Sequence, residues 1–286
     1  MDKSRRILIR VDFSVRKFTT KYGFDKDEIA MTDNSIRPLA DIMNRLRDKE
    51  TGCKWDCAQT HDSIIDNTLE EAYEVCDAVE RKDDKALCEE LGDLLLHVVF
   101  HAKIAQERGA FDFDDVVKCI CDKMIRRHPH IFGKADEMPD WEAMKKAERL
   151  ENHQSRQLDG IARALPASTR AFKLQARAAK VGFDWSDASF VLDKIEEEIA
   201  ELRAEMNETH SKDGQEAETG DLLFACVNLA RKLGINPDKA LRRTNEKFER
   251  RFSYIEDSLK AQNRALSDAS LDEMEDLWGQ AKRNGL

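Results

Sequence analysis

Apolar side chains recur at three- and four-residue intervals through nearly the whole chain from about Ile36 onward, which predicts a series of amphipathic helices. The first-half segments are RPLADIMNRLRDKE, SIIDNTLEEAYEVCDAVER, ALCEELGDLLLHVVFHAKIAQERG and FDDVVKCICDKMIRRH. Gly109 and Pro129 are suited to end the last two of these helices. The predicted fold class is therefore all-α.

The stretch before these helices has a different pattern. Ile7, Ile9, Val11 and Phe13 alternate with mostly polar residues, which is the period of a strand. We interpret residues 1–33 as an N-terminal extension. It is a short strand, a disordered segment or the result of a start site assigned too far upstream, and the sequence leaves these alternatives open.

The second half of the chain repeats the order of the first half. The matched positions are Glu71, Glu74, Glu90, Gly92 and Asp93 with Glu198, Glu201, Glu218, Gly220 and Asp221, and Lys123, Arg126 and Arg127 with Lys247, Arg250 and Arg251. A tandem duplication of a helical unit of roughly 110–120 residues explains this order. We place the repeats at residues 34–150 and 166–286, joined by a polar linker at 151–165.

Composition narrows the functional classes. The formal net charge of −10 argues against a protein that coats nucleic acid polymers, which requires a basic surface. No apolar run reaches the roughly 18 residues of a membrane span. The 7 cysteines are scattered through helical segments, which is typical of reduced thiols in the cytoplasm.

Each repeat carries two acidic pairs with a spacing of three residues, so both members of a pair share one helix face. Two antiparallel helices would bring the pairs face to face, and the clustered carboxylates would repel unless they are protonated or bridged by cations. Oxygen ligands favour Mg²⁺, with Mn²⁺ as a substitute. A solvated helix face and a structural network paired to lysines are the alternatives.

Two features around the acidic pairs predict burial. The apolar neighbours Leu91, Leu95, Val98 and Phe100 are typical of a helix covered on nearly all sides. The glycines before Asp93 and Asp221 cost about 1 kcal/mol each relative to alanine in a helix, so we expect a close backbone approach or a packing demand there.

A basic run, NEKFERR, is the second candidate element. Lys247 and Arg251 lie four residues apart on one helix face, with Arg250 beside them. A metal held by carboxylates together with Lys and Arg is the recurring apparatus of phosphoryl transfer, although a solvated face is the plain alternative for this run.

These motifs, with GDLLF, RRHPHIF, VGFDW and NEKFERRF, resemble the MazG family of nucleoside triphosphate pyrophosphohydrolases from about residue 36 to the C terminus. The resemblance implies helices packed into four-helix-bundle units, usually in homodimers. It also implies Mg²⁺-dependent hydrolysis of nucleoside triphosphates between the α- and β-phosphates, which yields the monophosphate and pyrophosphate.

The resemblance also assigns roles by position. Glu198, Glu201, Glu218 and Asp221 would bind the metal, as would the first-repeat set Glu71, Glu74, Glu90 and Asp93. Asn245, Lys247, Arg250 and Arg251 would hold the triphosphate, with Trp278 near the nucleotide. Glu198, Glu201, Lys247 and Arg251 form the catalytic set, in which Glu201 is our candidate for the base.

The chain departs from the family pattern in two places. Lys54 stands where the family commonly has proline, and Cys121 stands in the first repeat where the second has Asn245. We therefore expect the C-terminal repeat to be the main catalytic unit. A nucleotide-binding regulatory protein that does not hydrolyse its ligand is the rival interpretation, and a helical adaptor without metal is the third.

Overall fold

The computed structural model describes residues 36–133, 140–151 and 155–286, so the predicted extension at residues 1–33 lies outside the described residues. All regular structure within these ranges is helical, and no strand is present there, which confirms the all-α prediction. The chain divides into two compact units, with the boundary at residue 140. Across the described ranges, no helix combines the length and apolar character that a bilayer crossing requires.

The first unit is built around one long helix. Its helices are α1 (Arg37–Leu46), α2 (Lys54–Ala58), α3 (Ile65–Arg81), α4 (Asp84–Glu107), α5 (Phe113–Arg127) and α6 (Pro129–Phe132). Helix α3 packs along α4, which also contacts α1 and α5. Lys82 adopts a left-handed conformation (φ 57°) after α3, and the Asp83 carboxylate then caps α4. This tight connection makes α3 and α4 a helical hairpin.

A buried arginine joins three parts of the first unit. Arg47 is 7% exposed and donates two hydrogen bonds to the Glu107 carboxylate at the end of α4, at 2.9 and 2.7 Å. It also donates to the carbonyl oxygens of Asp56 and Gln59. Its guanidinium lies 5.2 Å from the centroid of the Phe100 ring, within the core formed by Met43, Ile64, Val99, Phe100 and Ile104.

The second unit has a similar hairpin. Its helices are α7 (Trp141–Glu151), α8 (Ala167–Ala179), α9 (Ala188–Ala204), α10 (Lys212–Lys232), α11 (Pro237–Ala261) and α12 (Leu271–Arg283), with a π-helical turn at Glu205–Thr209 between α9 and α10 and a 3-10 turn at Leu266–Asp268. Helix α9 packs along α10, α8 contacts α10 and α11, and α11 packs on α12. Ile255, Leu259 and Leu277 form the buried core between α11 and α12.

The boundary between the units differs from the sequence interpretation in one helix. The sequence placed the residues of α7 at the end of the first repeat, whereas the structure groups them with the second unit. Helical periodicity shows which face of a helix is apolar, but not which core covers that face. The repeat boundaries and the linker at 151–165 stay a prediction.

The prediction that the acidic helices are covered on nearly all sides is wrong for the chain by itself. Leu91 is 48% exposed and Leu95 40%, whereas Val99 and Phe100 lie in the core. In the second unit Leu223 is 62% exposed. One apolar stripe of each helix meets the core, and a second stripe is left on the surface.

The expected close approach at the helix glycines is also not made. No heavy atom outside its own helix turn lies within 4 Å of the place where a Cβ on Gly92 or Gly220 would stand, among the residues that the structure describes. The low helix propensity of these two glycines is thus not explained by packing within the unit.

We expect Arg47→Met to lower the free energy of unfolding by about 3 kcal/mol, because the Glu107 carboxylate then stays partly buried without its cation. Urea denaturation at pH 7 measures this loss. Lys85→Met is the matched control, since the Lys85 side chain is 87% exposed, and its effect should stay within about 0.5 kcal/mol.

The same pair sets a pH dependence. The hydrogen bond from Arg47 lowers the pKa of Glu107, so the ion pair stabilises the fold above the ordinary glutamate pKa of 4.5 and the stabilisation is lost as the pH falls below it. The difference between wild type and Arg47→Met should therefore shrink as the pH falls from about 5 to about 3. A difference that is constant over this range would contradict the ion-pair explanation.

Candidate active site

The hairpin of α9 and α10 gathers three of the predicted carboxylates in the second unit. Oxygen atoms of Glu198, Glu218 and Asp221 all lie within 4.8 Å of one another. Glu198 is 5% exposed, Glu218 is partly buried and Asp221 is at the surface. The i,i+3 spacing on α10 places Glu218 and Asp221 on the face that packs against α9, as the sequence predicted.

Glu201, the fourth predicted carboxylate, lies beside this cluster but is not one of its three close members. It is exposed, one helix turn after Glu198. Its charge is near enough to act on Glu218: partial burial raises the pKa of Glu218, and repulsion from Glu201 and Asp221 raises it further. The four acids therefore share one electrostatic environment.

A lysine compensates part of this negative charge. Lys194 lies one turn before Glu198 on α9, and its Nζ donates to Glu197 at 2.7 Å and lies 2.8 Å from the Glu198 carboxylate. Hydrogen bonds to Glu197 and Glu198 raise the pKa of Lys194. The cluster is thus partly paired with a lysine, as the alternative interpretation from the sequence anticipated, but one ammonium faces several carboxylates.

The first unit has a parallel cluster on α3 and α4. Oxygen atoms of Glu71, Glu90 and Asp93 lie within 4.8 Å of one another. Glu74 is exposed, and its interaction with Glu90 contributes to the raised pKa of Glu90. Partial burial raises the pKa of both Glu71 and Glu90, and repulsion between the neighbouring carboxylates adds to the increase.

Imidazoles and a hydroxyl lie next to the first cluster. His97 Nε2 is 3.8 Å from Glu71, and Thr68 Oγ1 is 3.3 Å from His97 and 3.1 Å from His101. His101 in turn lies 2.8 Å from His61. Burial lowers the pKa of His97 and of His101. Among the described residues, no imidazole nitrogen joins the group of oxygen atoms that Glu71, Glu90 and Asp93 form within 4.8 Å.

A cavity of about 430 Å³ opens beside the second cluster. Its lining includes the charged side chains of Glu198, Asp221 and Lys194 and the aromatic rings of Phe183, Trp185 and Phe224. The polar residues Gln175, Asp184, Asn228 and Arg231 and several apolar residues complete the wall. Asp184 forms an ion pair with Arg231 and lies 3.3 Å from Lys232. The cavity is mainly apolar and aromatic with a few polar groups, which is typical of ligand sites.

The predicted basic residues lie on α11, apart from the carboxylates. Arg251 donates to the Leu286 carbonyl oxygen at 2.8 Å, and its guanidinium is 5.4 Å from the Trp278 ring. Trp278 also packs against Phe248, at 5.2 Å between ring centroids. Arg250 is 3.8 Å from Glu246. No described contact joins Asn245, Lys247, Arg250, Arg251 or Trp278 to the carboxylate cluster, so their role in binding stays a prediction.

Both clusters suit a hard divalent cation. Three carboxylate oxygens at this separation can converge on one ion, and they include no thiolate or imidazole. Partial burial is the main cause of the raised pKa values of Glu71, Glu90 and Glu218, and repulsion between the carboxylates adds to the increase. A bound cation would relieve that repulsion.

Comparison with known proteins shows the family to which the chain belongs. The family model of the MazG nucleotide pyrophosphohydrolase domain matches residues 59–132, which include the first carboxylate cluster. A nucleoside triphosphate pyrophosphohydrolase of Escherichia coli (strain K12) is 48% identical over 257 residues, covering 87% of this chain and 98% of the relative. This chain belongs to the MazG family.

Two further relatives match a similar length of this chain. A nucleoside triphosphate pyrophosphohydrolase/pyrophosphatase MazG of Thermotoga maritima is 42% identical over 248 residues, covering 85% of this chain and 94% of the relative. Protein YabN of Bacillus subtilis (strain 168), which is described as uncharacterized, is 46% identical over 247 residues, covering 84% of this chain and 50% of the relative. The match to MazG proteins thus extends over both units.

Sequence reasoning missed Lys194, Gln175 and Asn228. The signal for Lys194 was its place four residues before Glu198, on the same helix face. Asn228 is the polar interruption of the apolar run LLFACVNLA. Gln175 had no signal, because its burial depends on how α8 packs against α10.

We expect Glu198→Gln and Lys194→Met to change the affinity for Mn²⁺ in opposite directions. Loss of a carboxylate ligand should weaken binding by about tenfold or more, because ligand charge sets the affinity for a hard cation. Removal of the lysine should tighten binding by about threefold to tenfold, because its ammonium competes for Glu198.

Electron paramagnetic resonance titration of free Mn²⁺ measures both changes without nucleotide. Lys212→Met, at the exposed start of α10, is the control for a general loss of positive charge. Weaker binding in Lys194→Met would show that the lysine orders the cluster instead of competing with the cation.

Proposed function

We propose that the chain hydrolyses nucleoside triphosphates between the α- and β-phosphates, releasing the nucleoside monophosphate and pyrophosphate in a reaction that requires Mg²⁺. The observation that carries the proposal is the group of Glu198, Glu218 and Asp221, of which Glu198 and Asp221 line a cavity together with Lys194. The names of the relatives from Escherichia coli and Thermotoga maritima support the same activity.

The carboxylates of the second unit would hold the cation, with Mn²⁺ as a substitute for Mg²⁺. When bound, the cation supplies positive charge that polarises a phosphoryl oxygen and stabilises negative charge in the transition state. The remaining steps depend on the chain's own side chains.

Lys194 is a candidate to contact a phosphate because its ammonium already lies at the carboxylate cluster. A triphosphate carries more negative charge than one ammonium balances, so further cations are required. We assign Lys247, Arg250 and Arg251 to the β- and γ-phosphates, with Asn245 as a hydrogen-bonding group and Trp278 near the nucleotide. The family resemblance supports these assignments, and the contacts of Arg251 show that α11 and α12 support each other.

Glu201 is our candidate for the general base. It lies outside the close group of three carboxylates and is exposed, so it can accept a proton from water while the other three acids hold the cation. The oxygen of that water forms the new bond to the α-phosphorus, the bond from this phosphorus to the bridging oxygen breaks, and pyrophosphate leaves.

The first unit lacks groups that the second unit offers. Asn67 stands four residues before Glu71, where the second unit has Lys194 before Glu198. Phe100, seven residues after Asp93, is buried in the core, whereas Asn228, seven residues after Asp221, lines the cavity. We therefore assign the main activity to the second unit and a structural or weaker role to the first.

Matched substitutions in the two units test this assignment. Glu201→Gln should reduce kcat by at least 100-fold, the typical contribution of a general base, and Glu74→Gln should change kcat by less than about threefold. The measurement is anion-exchange separation of monophosphate, diphosphate, pyrophosphate and orthophosphate, with a panel of ribo- and deoxynucleoside triphosphates, with and without Mg²⁺.

Each outcome of that assay distinguishes the interpretations. Diphosphate and orthophosphate as products would overturn the proposed bond, and equal losses in Glu74→Gln and Glu201→Gln would overturn the division between the units. Binding of a triphosphate without turnover by folded wild-type protein would favour the nucleotide-binding regulatory protein.

We also propose that two copies of the chain associate. The chain would act in the cytoplasm, and its ligands would be free nucleotides instead of nucleic acid polymers. Leu91, Leu95 and Leu223 are exposed apolar side chains on the acidic helices α4 and α10, and exposed apolar surface of this kind favours association. The net charge of −10 disfavours nucleic acid polymers, and all seven cysteines are free, as expected in a reducing compartment.

We expect light scattering coupled to size exclusion to give twice the chain mass of 32.9 kDa. Leu223→Glu should shift the equilibrium toward the monomer, because it introduces a charge into the apolar stripe, and Lys212→Glu should leave the mass unchanged. A monomeric wild type at micromolar concentrations would contradict the association.

A further inference from the structure

A second cavity in the second unit has only cations among its charged lining residues. Its volume is about 420 Å³, and it is lined by residues of α8 and of the segment 160–165 that precedes this helix. The charged lining residues are Lys173, Arg177 and Lys180, and no carboxylate of the described residues lines it. The chain as a whole has a formal net charge of −10, so this cavity is a local reversal of the charge. A cavity lined by one sign of charge concentrates ions of the opposite sign.

The three cations lie close together on α8. They are four and three residues apart along the chain, a spacing that makes side chains neighbours on a helix, where like charges are destabilising. Attraction to the C terminus of α8 favours Arg177 in the last turn and Lys180 at the cap. Lys173 lies in the middle of the helix, so this attraction does not explain it. An anion bound between the three side chains would relieve their repulsion.

The other face of α8 belongs to the candidate active site. Leu174, Gln175 and Ala178 line the cavity beside the carboxylate cluster, whereas Lys173 and Arg177 line the second cavity. With about 3.6 residues per turn, these two sets lie on opposite sides of the helix. The two cavities are therefore separate, and a ligand in the second one does not occupy the space beside the carboxylates.

Hydrogen bonds hold the segment before α8 against the helix. The Arg177 guanidinium donates to the Asp159 carbonyl oxygen, and Gln157 Nε2 donates to the Arg177 carbonyl oxygen at 2.8 Å. Asp159 Oδ2 accepts from the Arg156 backbone N–H at 2.9 Å. Ile161, which lines the cavity, is only 9% exposed. These contacts fix both walls, so the cavity is formed before a ligand binds.

The uncharged part of the lining is apolar. It consists of Gly160, Ile161, Ala162, Leu165, Phe172 and Ala176. Three cations match the charge of a phosphate dianion better than that of a single carboxylate, and an arginine can bind phosphate through two parallel hydrogen bonds. The combination suits a ligand that has both a phosphate and an apolar or aromatic part.

The matching positions of the first unit carry fewer cations. Counted from the paired residues Trp55 and Trp185, the counterparts of Lys173, Arg177 and Lys180 are Met43, Arg47 and Glu50. Met43 is buried in the core, and Arg47 forms its ion pair with Glu107. One apolar and one acidic side chain of the first unit are thus replaced by lysines in the second. The cluster of cations is specific to the second unit.

We propose that this cavity binds a phosphorylated small molecule whose other part is apolar or aromatic. Lys173, Arg177 and Lys180 contact the phosphate, and Ile161 and Phe172 contact the rest of the ligand. The site requires no divalent cation, because the chain's own cations balance the phosphate. It is distinct from the carboxylate cluster and does not depend on the proposed hydrolysis.

Calorimetric titration of the full chain in EDTA, at about pH 8 where an aryl phosphate is a dianion, tests the proposal. The probes are 1-naphthyl phosphate, 1-naphthoate with the same ring but a single charge, and inorganic phosphate without a ring. Without divalent cations the carboxylate clusters repel all three anions. We expect 1-naphthyl phosphate to bind at one site per chain, at least about tenfold more tightly than either of the other probes.

Substitutions of the exposed lysines locate the bound probe. Lys173→Gln and Lys180→Gln should each weaken 1-naphthyl phosphate by about threefold to tenfold, and the double variant by about tenfold or more. Lys212→Gln is the matched control, because Lys212 is exposed and does not line the cavity, and its effect should stay within about twofold. Lys194→Met, which removes the ammonium of the other cavity, should also leave the affinity unchanged. Circular dichroism establishes that each variant is folded.

Several results would overturn the anion site. These are a wild type without saturable binding, equally tight binding of 1-naphthoate or inorganic phosphate, and an equal loss of affinity in Lys212→Gln. Weaker binding in Lys194→Met with unchanged binding in Lys173→Gln would assign the probe to the cavity beside the carboxylates and would also refute the proposal. If 1-naphthyl phosphate binds as expected while the wild type releases no pyrophosphate from any triphosphate, the anion site stands and the proposed hydrolysis fails.

Discussion

Repulsion between carboxylates is the constraint on which the active-site region depends. The hairpins α3–α4 and α9–α10 bring together Glu71, Glu90 and Asp93 in one unit and Glu198, Glu218 and Asp221 in the other. Helix packing enforces this proximity, because the apolar stripes that hold each hairpin together lie next to the acidic positions. The repulsion therefore cannot be relieved by separating the helices without exposing the core.

The two units compensate the same repulsion differently. In the second unit an ammonium from Lys194 reaches Glu198, and a cavity with aromatic and amide groups lies beside the pair. In the first unit His97 lies near Glu71, but burial lowers its pKa and favours the neutral imidazole. Phe100, seven residues after Asp93, lies in the buried core of that unit. A duplicated acidic motif is thus set in two different environments.

Helix caps and one arginine–glutamate contact stabilise the ends of the hairpin helices. Asp83, Asp187 and Ser211 cap the helices α4, α9 and α10 by accepting backbone hydrogen bonds. In the first unit Arg47 joins the end of α1 to the end of α4. These contacts stabilise each hairpin from its ends, which leaves the carboxylates in the middle free of the demands of helix termination.

The sequence by itself determined the helices, the duplicated acidic pairs and the family, because helical periodicity and residue spacing are local properties of the chain. It also placed Glu201 near the cluster through its spacing from Glu198. Only the tertiary structure decided that Gln175 from α8 donates a hydrogen bond to Phe224 of α10. It also decided that Asn228 lines a cavity whereas Phe100 is buried in a core. The exposure of Leu91 and Leu223 was likewise decided by packing. These features depend on which helix covers which face, and side chains distant in sequence set that choice through packing.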